Sequence, residues 1–217
     1  LFQAVFGSGE IEEGEIYLHE QKIDIKNTTD ALQRGIGYLP QNRKENGIIK
    51  DMNIFENASI VTWPLFDHWG VIDREKQAEK FEEQVEKLRI KMDQKTDSIN
   101  SLSGGNQQKI VLAKWLTANP DIFILDNPTQ GVDVGAKEDI YDIILKLAEE
   151  DIAVVILSSE AKEIIRICDR ALVMYHGLIQ GELSREEMTE HEIMRLATGA
   201  GVNSGQEGAE DAEEAEK

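Results

Sequence analysis

From residue 110 to residue 175 the apolar positions alternate between two rhythms. Unbroken apolar runs at Ile122–Leu125, Ile152–Leu157 and Ala171–Met174 predict strands. Between them, residues 136–150 place Ile140, Ile143, Ile144 and Leu147 on one helical face, and residues 161–167 form a second, shorter helical pattern. Apolar strands alternating with amphipathic helices predict a parallel sheet covered by helices on both faces. A hairpin punctuated by Tyr175-His176-Gly177 and running into Ile179 and Leu183 closes the pattern.

The first hundred residues are patterned differently. Gly14-Glu15-Ile16-Tyr17-Leu18-His19 alternates as a strand after the turn glycines Gly7, Gly9 and Gly14, and Ile36–Leu39 is a second short strand stopped by Pro40. Asn53 with Glu56 forms a capping-box pattern, and Ile54, Ala58 and Val61 continue at helical spacing until Pro64. A longer helix is expected from Arg74, with Ala78, Phe81, Val85 and Leu88 on its apolar face. Another holds Ile110, Leu112, Ala113, Trp115 and Leu116 and ends near Asn119-Pro120. The central stretch, about residues 51–115, therefore reads as a helical insertion. No internal repeat is visible.

Composition narrows the function classes. The 217 residues suit one domain with a full core and leave room for a small inserted subdomain, and 41% apolar content is ordinary for that class. The net charge is −19, of which −5 belongs to residues 203–217. An acidic body argues against nonspecific nucleic-acid binding, which needs basic surface. The Gly/Ala/Glu-rich end of the chain, residues 199–217, is expected to be an acidic disordered tail. One cysteine, Cys168, rules out an intramolecular disulfide and reads as a packing residue. The longest purely apolar run falls far short of the ~20 residues a membrane helix requires.

Three segments carry candidate chemistry. Asp126 ends an apolar strand, where α/β folds bind ligands and where an acid can hold Mg²⁺; alone it is equally an ordinary loop-start aspartate. Leu102-Ser103-Gly104-Gly105-Asn106-Gln107-Gln108-Lys109 opens a helix with a hydroxyl, free amides and glycines that let the main chain approach a phosphate. Gln41 follows a strand and Pro40 where the helical stretch departs, so its amide can reach a metal or water. No Gly-x-x-x-x-Gly-Lys-[Ser/Thr] phosphate loop occurs in the sequence.

The ordered set of Gln41, Leu102–Lys109, Ile122–Asp126, Asp133 and Ser158-Ser159-Glu160 resembles the second nucleotide-binding half of bacterial carbohydrate-import ABC ATPases. Leu112-Ala113-Lys114-Trp115 and Gly131-Val132-Asp133-Val134-Gly135-Ala136-Lys137 resemble that subfamily's own wording. The resemblance spans nearly all of residues 1–198. It implies an α/β, P-loop NTPase-like ABC core with a parallel sheet, an N-terminal antiparallel β part and the inserted helical subdomain. In that family Leu1–Gly7 matches the helix just after the phosphate loop, so the loop is expected upstream.

The resemblance also implies ATP and Mg²⁺ as ligands, with Asp126 and Gln41 toward the metal. Ser103, Gly104, Gly105, Asn106, Gln107 and Asp133 would face nucleotide, the signature completing a site on the other nucleotide-binding half. Asn127 stands where most ABC proteins carry the water-polarising glutamate, and an amide cannot act as a general base at neutral pH. Ser159 stands at the usual position of the switch histidine. Arg43, Lys44, Ile48, Ile54 and Trp63 lie where the family docks its membrane permease, although a tryptophan beside Pro64 is equally local core. The implied protein sits peripherally on the cytoplasmic membrane face, served indirectly by a sugar-binding protein. Two other functions remain open: an ABC-like regulatory or binding module that hydrolyses nothing, and a soluble non-transport ABC protein.

Overall fold

The structure, a computed structural model, describes residues 1–65, 67–68 and 71–199. In chain order it contains α1 (Phe2–Val5), β1 (Ile16–Leu18), β2 (Gln21–Ile23), α2 (Thr28–Gln33), β3 (Ile36–Leu39), a π-helical turn (Arg43–Gly47), α3 (Ile54–Ser59), a 3₁₀ segment (Ile60–Leu65), β4 (Asp67–His68), β5 (Val71–Ile72) and α4 (Arg74–Lys87). A 3₁₀ turn (Ile99–Ser101) then leads into α5 (Gly104–Leu116), β6 (Ile122–Asp126), α6 (Val134–Glu149), β7 (Ala153–Leu157), α7 (Ala161–Ile167), β8 (Arg170–Tyr175), β9 (Leu178–Ser184) and α8 (Glu190–Ala197). The chain packs as two compact units that divide between Leu157 and Ser158.

In the first unit, β3, β6 and β7 form a parallel sheet in the order β3-β6-β7, with Tyr38 beside Ile124 and Asp126 beside Leu157. Every residue of β3 is buried, as are Phe123, Ile124 and Leu125 of β6. Purely apolar strands are what a sheet buried on both faces selects. One core gathers Phe6, Ile25, Ala31, Ile36, Tyr38 and Ile124, with Trp115 and Val155 packed against them. β1 and β2 pair as a separate antiparallel ribbon, as the N-terminal strand pattern and the resemblance anticipate.

The helical signals of the central stretch are met with two corrections. Asn53 and Glu56 do exchange the reciprocal bonds of a capping box, at 2.8 and 2.9 Å, worth about 1 kcal/mol of helix stability. The α-helix, however, stops at Ser59, and a tighter 3₁₀ segment carries the chain through Pro64 to Leu65. A two-stranded antiparallel pair, β4 with β5, also interrupts the stretch, so it is not purely helical. α4 runs as its pattern predicts, capped by Asp73 and burying Phe81.

Helix α5 is the scaffold of the first unit. It packs against α3, α4, β3 and α6, and burial extends from Gln108 without a break to Lys114. Two lysines go under with the apolar residues: Lys109 donates to Asp139 Oδ2 at 2.8 Å, and Lys114 donates to the Gly47 carbonyl.

In the second unit β8 pairs antiparallel with β9 rather than joining the parallel sheet, which corrects the expectation for Ala171–Met174. Val173, Leu183, Met188 and Leu196 form its core, with Cys168 packed at the edge. Burial pushes the Cys168 thiol up to about 11, consistent with a packing role. The tail expected over 199–217 lies outside the described residues except for Gly199. That glycine adopts φ +77° and donates its N–H to the Leu196 carbonyl, closing α8.

Candidate functional site

Asp126 sits at the C-terminal end of β6, half-buried, with both carboxylate oxygens engaged. Tyr38 Oη, one strand away on β3, donates to Oδ2 at 3.0 Å. Asn127 Nδ2 donates to Oδ1 at 2.9 Å. Burial, and then the bond to Asp126, push the Tyr38 hydroxyl up to about 12, so it remains a donor at any physiological pH. A carboxylate offers about four acceptor positions, so each Asp126 oxygen retains one for a cation. One hard carboxylate on a rigid strand fits Mg²⁺, which usually takes one or two protein oxygens and draws its remaining ligands from phosphate and water.

Asn127 is placed by its backbone as much as by its side chain. Its φ is +48°, a left-handed conformation that asparagine tolerates better than most residues. Its N–H donates to the Leu157 carbonyl at 2.8 Å, and its own carbonyl accepts from Gln130 N–H at 3.0 Å. The tight turn thus holds the amide against Asp126. The sequence reading treated Asn127 as a lost general base; the structure adds that it is a donor to the neighbouring acid.

At the other candidate segment, Ser103 is the exposed N-cap of α5 and its hydroxyl oxygen accepts from Asn106 N–H at 3.4 Å and Asn106 Nδ2 at 3.1 Å. Asn106 Oδ1 also accepts from Lys91 N–H at 2.9 Å, and Gln107 Nε2 bonds the Ile99 and Leu102 carbonyls. Both amide side chains are therefore bracing the approach to α5. Next to them, buried Gln108 donates to the Pro128 carbonyl at 2.8 Å, joining the helix to the loop after Asp126.

The two glycines have a reason that the sequence did not reveal. A Cβ on Gly105 would lie 2.5 Å from Ala136 Cβ on α6, so this glycine permits the close approach of the two helices. A Cβ on Gly104 would lie 2.8 Å from Arg43 Nη2. Gly105 is buried, so its lack of a side chain serves helix packing as well as any approach of the main chain to a phosphate. Because α5 and α6 touch there, their N-caps Ser103 and Asp133 begin neighbouring helices. Asp133 accepts from Ala136 N–H at 3.0 Å, so one carboxylate oxygen is already used as a cap.

Gln41 is exposed and lines an open depression of about 470 Å³ with Asn42, Arg43, Lys44, Gln130 and Gly131. Asp126 is not among the residues lining it. Ser159 is exposed in the second unit, one residue after Ser158, whose hydroxyl accepts from Glu160 N–H at 3.0 Å. Of the five residues assigned to permease docking, Arg43, Ile48 and Ile54 are buried. Only exposed Lys44 and half-buried Trp63 present surface. Tyr38, Gln108 and Lys114 were not singled out as site residues; the one available signal was a lysine inside the apolar run Val111–Leu116.

The fold, with a glycine-opened helix start at Ser103 and a strand ending in Asp126, defines an ATP-binding-cassette architecture. The pattern of the ABC transporter family matches residues 1–130, and the chain belongs to that family. The ATP-binding cassette MJ1267 of an ABC transporter superposes with a TM-score of 0.75 at 22% identity, covering 90% of this chain and 81% of that one. The cassette MJ0796, in a dimer bound to ADP and Pi, gives 0.71 at 24% identity, covering 84% and 78%. Among curated proteins, the ribose import ATP-binding protein RbsA of Bacillus licheniformis is 42% identical over 199 residues, 92% of this chain and 40% of that protein. A putative ribose/galactose/methyl galactoside import ATP-binding protein of Halalkalibacterium halodurans is also 42% identical, covering 92% and 38%. The chain thus spans about two fifths of the length of these relatives. Among the described residues no helix is long and apolar enough to cross a membrane.

Proposed function

We propose that this chain is the second nucleotide-binding cassette of a longer, sugar-importing ABC protein, and that its main contribution is to the ATP site of the other cassette. The observation that carries this reading is the start of α5. Ser103 is exposed at the N-terminus of a helix that is buried without a break from Gln108 to Lys114 and tied to the neighbouring loop through Gln108. The first amides of a helix lack intrahelical acceptors and carry its positive dipole end. A phosphate presented by a partner would meet the Ser103 hydroxyl and these amides on a rigid support. The names of the relatives, ribose and ribose/galactose import proteins, support a monosaccharide as cargo. Membrane permease subunits, with a sugar-binding protein behind them, would be the partners, at the cytoplasmic face of the membrane.

This chain's own site would be weak or regulatory, holding MgATP only with a phosphate loop supplied upstream and driving little hydrolysis. Asp126 would hold Mg²⁺ with its two remaining lone pairs, and Gln41 would approach from its exposed loop. Mg²⁺ there would neutralise phosphate charge. Asn127 would orient Asp126 and, being an amide, would leave the attacking water without a base; loss of one general base is worth about 10²–10⁴ in rate. The second reading, a cassette that regulates and hydrolyses nothing, is favoured by this same Asn127–Asp126 bond. Replacing Ser103 by arginine in the complete protein separates the two. On the first reading turnover falls by about a hundredfold, roughly 2.7 kcal/mol of barrier, although the other cassette's own loops are untouched. Turnover within twofold of wild type would remove the signature from the working site.

A further inference from the structure

The Arg43 side chain joins two segments that lie far apart in sequence. It is 7% exposed. Its Nη1 donates to the Gln130 carbonyl at 2.8 Å and its Nη2 to the Gly131 carbonyl at 3.0 Å. Its Nε is buried with no partner, and among the described residues no carboxylate pairs with it. A buried charge held only by main-chain carbonyls is a poor way to gain stability and a good way to fix geometry, because the planar guanidinium fork sets two acceptors in one plane. Gly104 is its steric complement: a Cβ there would meet Nη2 at 2.8 Å and the Gly131 carbonyl at 3.3 Å.

The far end of the same turn is held as well. Lys114, on α5, donates to the Gly47 carbonyl, and a Cβ on Gly47 would lie 3.3 Å from Val111 of α5. Asn57 then bonds both the N–H and the carbonyl of Ile49, at 2.8 and 3.0 Å. The five-residue turn is gripped at both ends, by a cation each time, so it has little freedom to deform internally.

We propose that Arg43 is a positioning residue that makes the Arg43–Gly47 turn, which follows Gln41, and the loop at Gln130–Gly131, which follows Asp126, open and close as one piece. The coupling goes beyond the cassette reading and rests on it only for its consequence, that a nucleotide contact made at Gln41 is felt at Asn127–Asp133. Gly104 places the start of α5 against the same guanidinium, so all three motif segments meet on one side chain.

Native-state hydrogen exchange of the 217-residue chain, followed across low denaturant concentrations, tests it. Glu45 and Asn46 N–H both bond the Asn42 carbonyl, Gln130 N–H bonds Asn127, and Val132 N–H bonds Thr129, so these four amides report the two segments. In wild type the two pairs should show matching protection, within about threefold, and the same denaturant dependence, the mark of one cooperative opening. In Arg43→Met the Gln130 and Val132 amides should lose about tenfold protection and part company with Glu45 and Asn46, with Arg43→Lys recovering some of it. Gly104→Ala, which crowds Nη2, should produce the same split and add nothing in the Arg43→Met background, a non-additivity that a general loosening would not give. Independent openings in wild type, or full additivity of the two substitutions, would overturn the proposal. Should Arg43→Met fail to fold, Gly104→Ala against wild type still decides it. The exchange is read without nucleotide, so unchanged turnover of the complete Ser103→Arg protein would count against the cassette reading and leave this result standing.

Discussion

At the start of α5, Ser103 stands exposed with its hydroxyl oxygen taken up only by Asn106, and the helix behind it is buried and cross-tied. At the end of β6, Asp126 is half-buried and both its oxygens already accept bonds, from Tyr38 and from Asn127. One segment is rigid behind and open in front; the other is satisfied from within. On the proposed reading, the difference lets a chain serve a partner's phosphate at one segment while its own acid is held in place by an amide at the other. A helix start needs only a supported backbone to attract an anion, whereas a hydrolytic centre needs a base of the right charge, and one residue decides that.

The support behind Ser103 can be probed first, since it carries the largest stability effect. Burial pushes the Lys114 ammonium down to about 8 from the ordinary lysine value of 10.5. Below the lower value both the folded and unfolded chains hold the proton, and the full cost of the buried charge is present. Between the two values the unfolded chain binds the proton that the folded chain has released, so stability rises with pH across that window. Urea unfolding from about pH 7.5 to about pH 9.5 should therefore improve wild type by about 2 kcal/mol relative to Lys114→Met. Parallel pH curves for the two proteins would mean that α5 does not bury a charge there.

Asn127→Glu sharpens the comparison from the other side. It removes the donor to Asp126, sets a second carboxylate against the first, and forces a longer side chain into φ +48°. Together these should cost about 1–2 kcal/mol of stability, visible as a lower urea midpoint with an unchanged slope. Turnover of the complete protein should stay level or rise modestly. A variant as stable as wild type would show that the Asn127 amide holds nothing.

The smallest effect belongs to Tyr38→Phe. The ring keeps its stacking on Phe6, 5.1 Å between centroids, and only the hydroxyl bond to Asp126 is lost. One such bond is worth about 1 kcal/mol, because water reaches the half-buried carboxylate and partly replaces the donor. A loss well above that, measured by the same unfolding, would mean that the Tyr38 hydroxyl holds more than this one bond.

Much of the first unit was legible along the chain. Strands β6 and β7 announced themselves as unbroken apolar runs and β3 as a short run stopped by Pro40, although β7 is only half-buried, and α6 because one face of a surface helix repeats every three to four residues. The capping box at Asn53 was legible because its partners are three residues apart. Two misses were local, the 3₁₀ segment through Pro64 and the β4–β5 pair; the others followed distance. β8 was assigned to the parallel sheet because an apolar run does not name its partner, and Arg43, Ile48 and Ile54 were read as surface because only packing shows which side of a segment is inside.

The sequence by itself determined most kinds of element, the identity of the acid at Asp126 and the amide at Asn127, and the glycines that open α5, since these depend on residue chemistry and local spacing. The tertiary structure alone decided what those residues do to one another. Gly104 yields to Arg43 and Gly105 to Ala136, Tyr38 reaches Asp126 across 88 positions of sequence, and two buried cations close on carbonyls that no pattern in the chain connects to them. A local pattern records hydropathy and backbone preference; contacts between distant residues arise only when the sheet and α5 bring them within bonding distance.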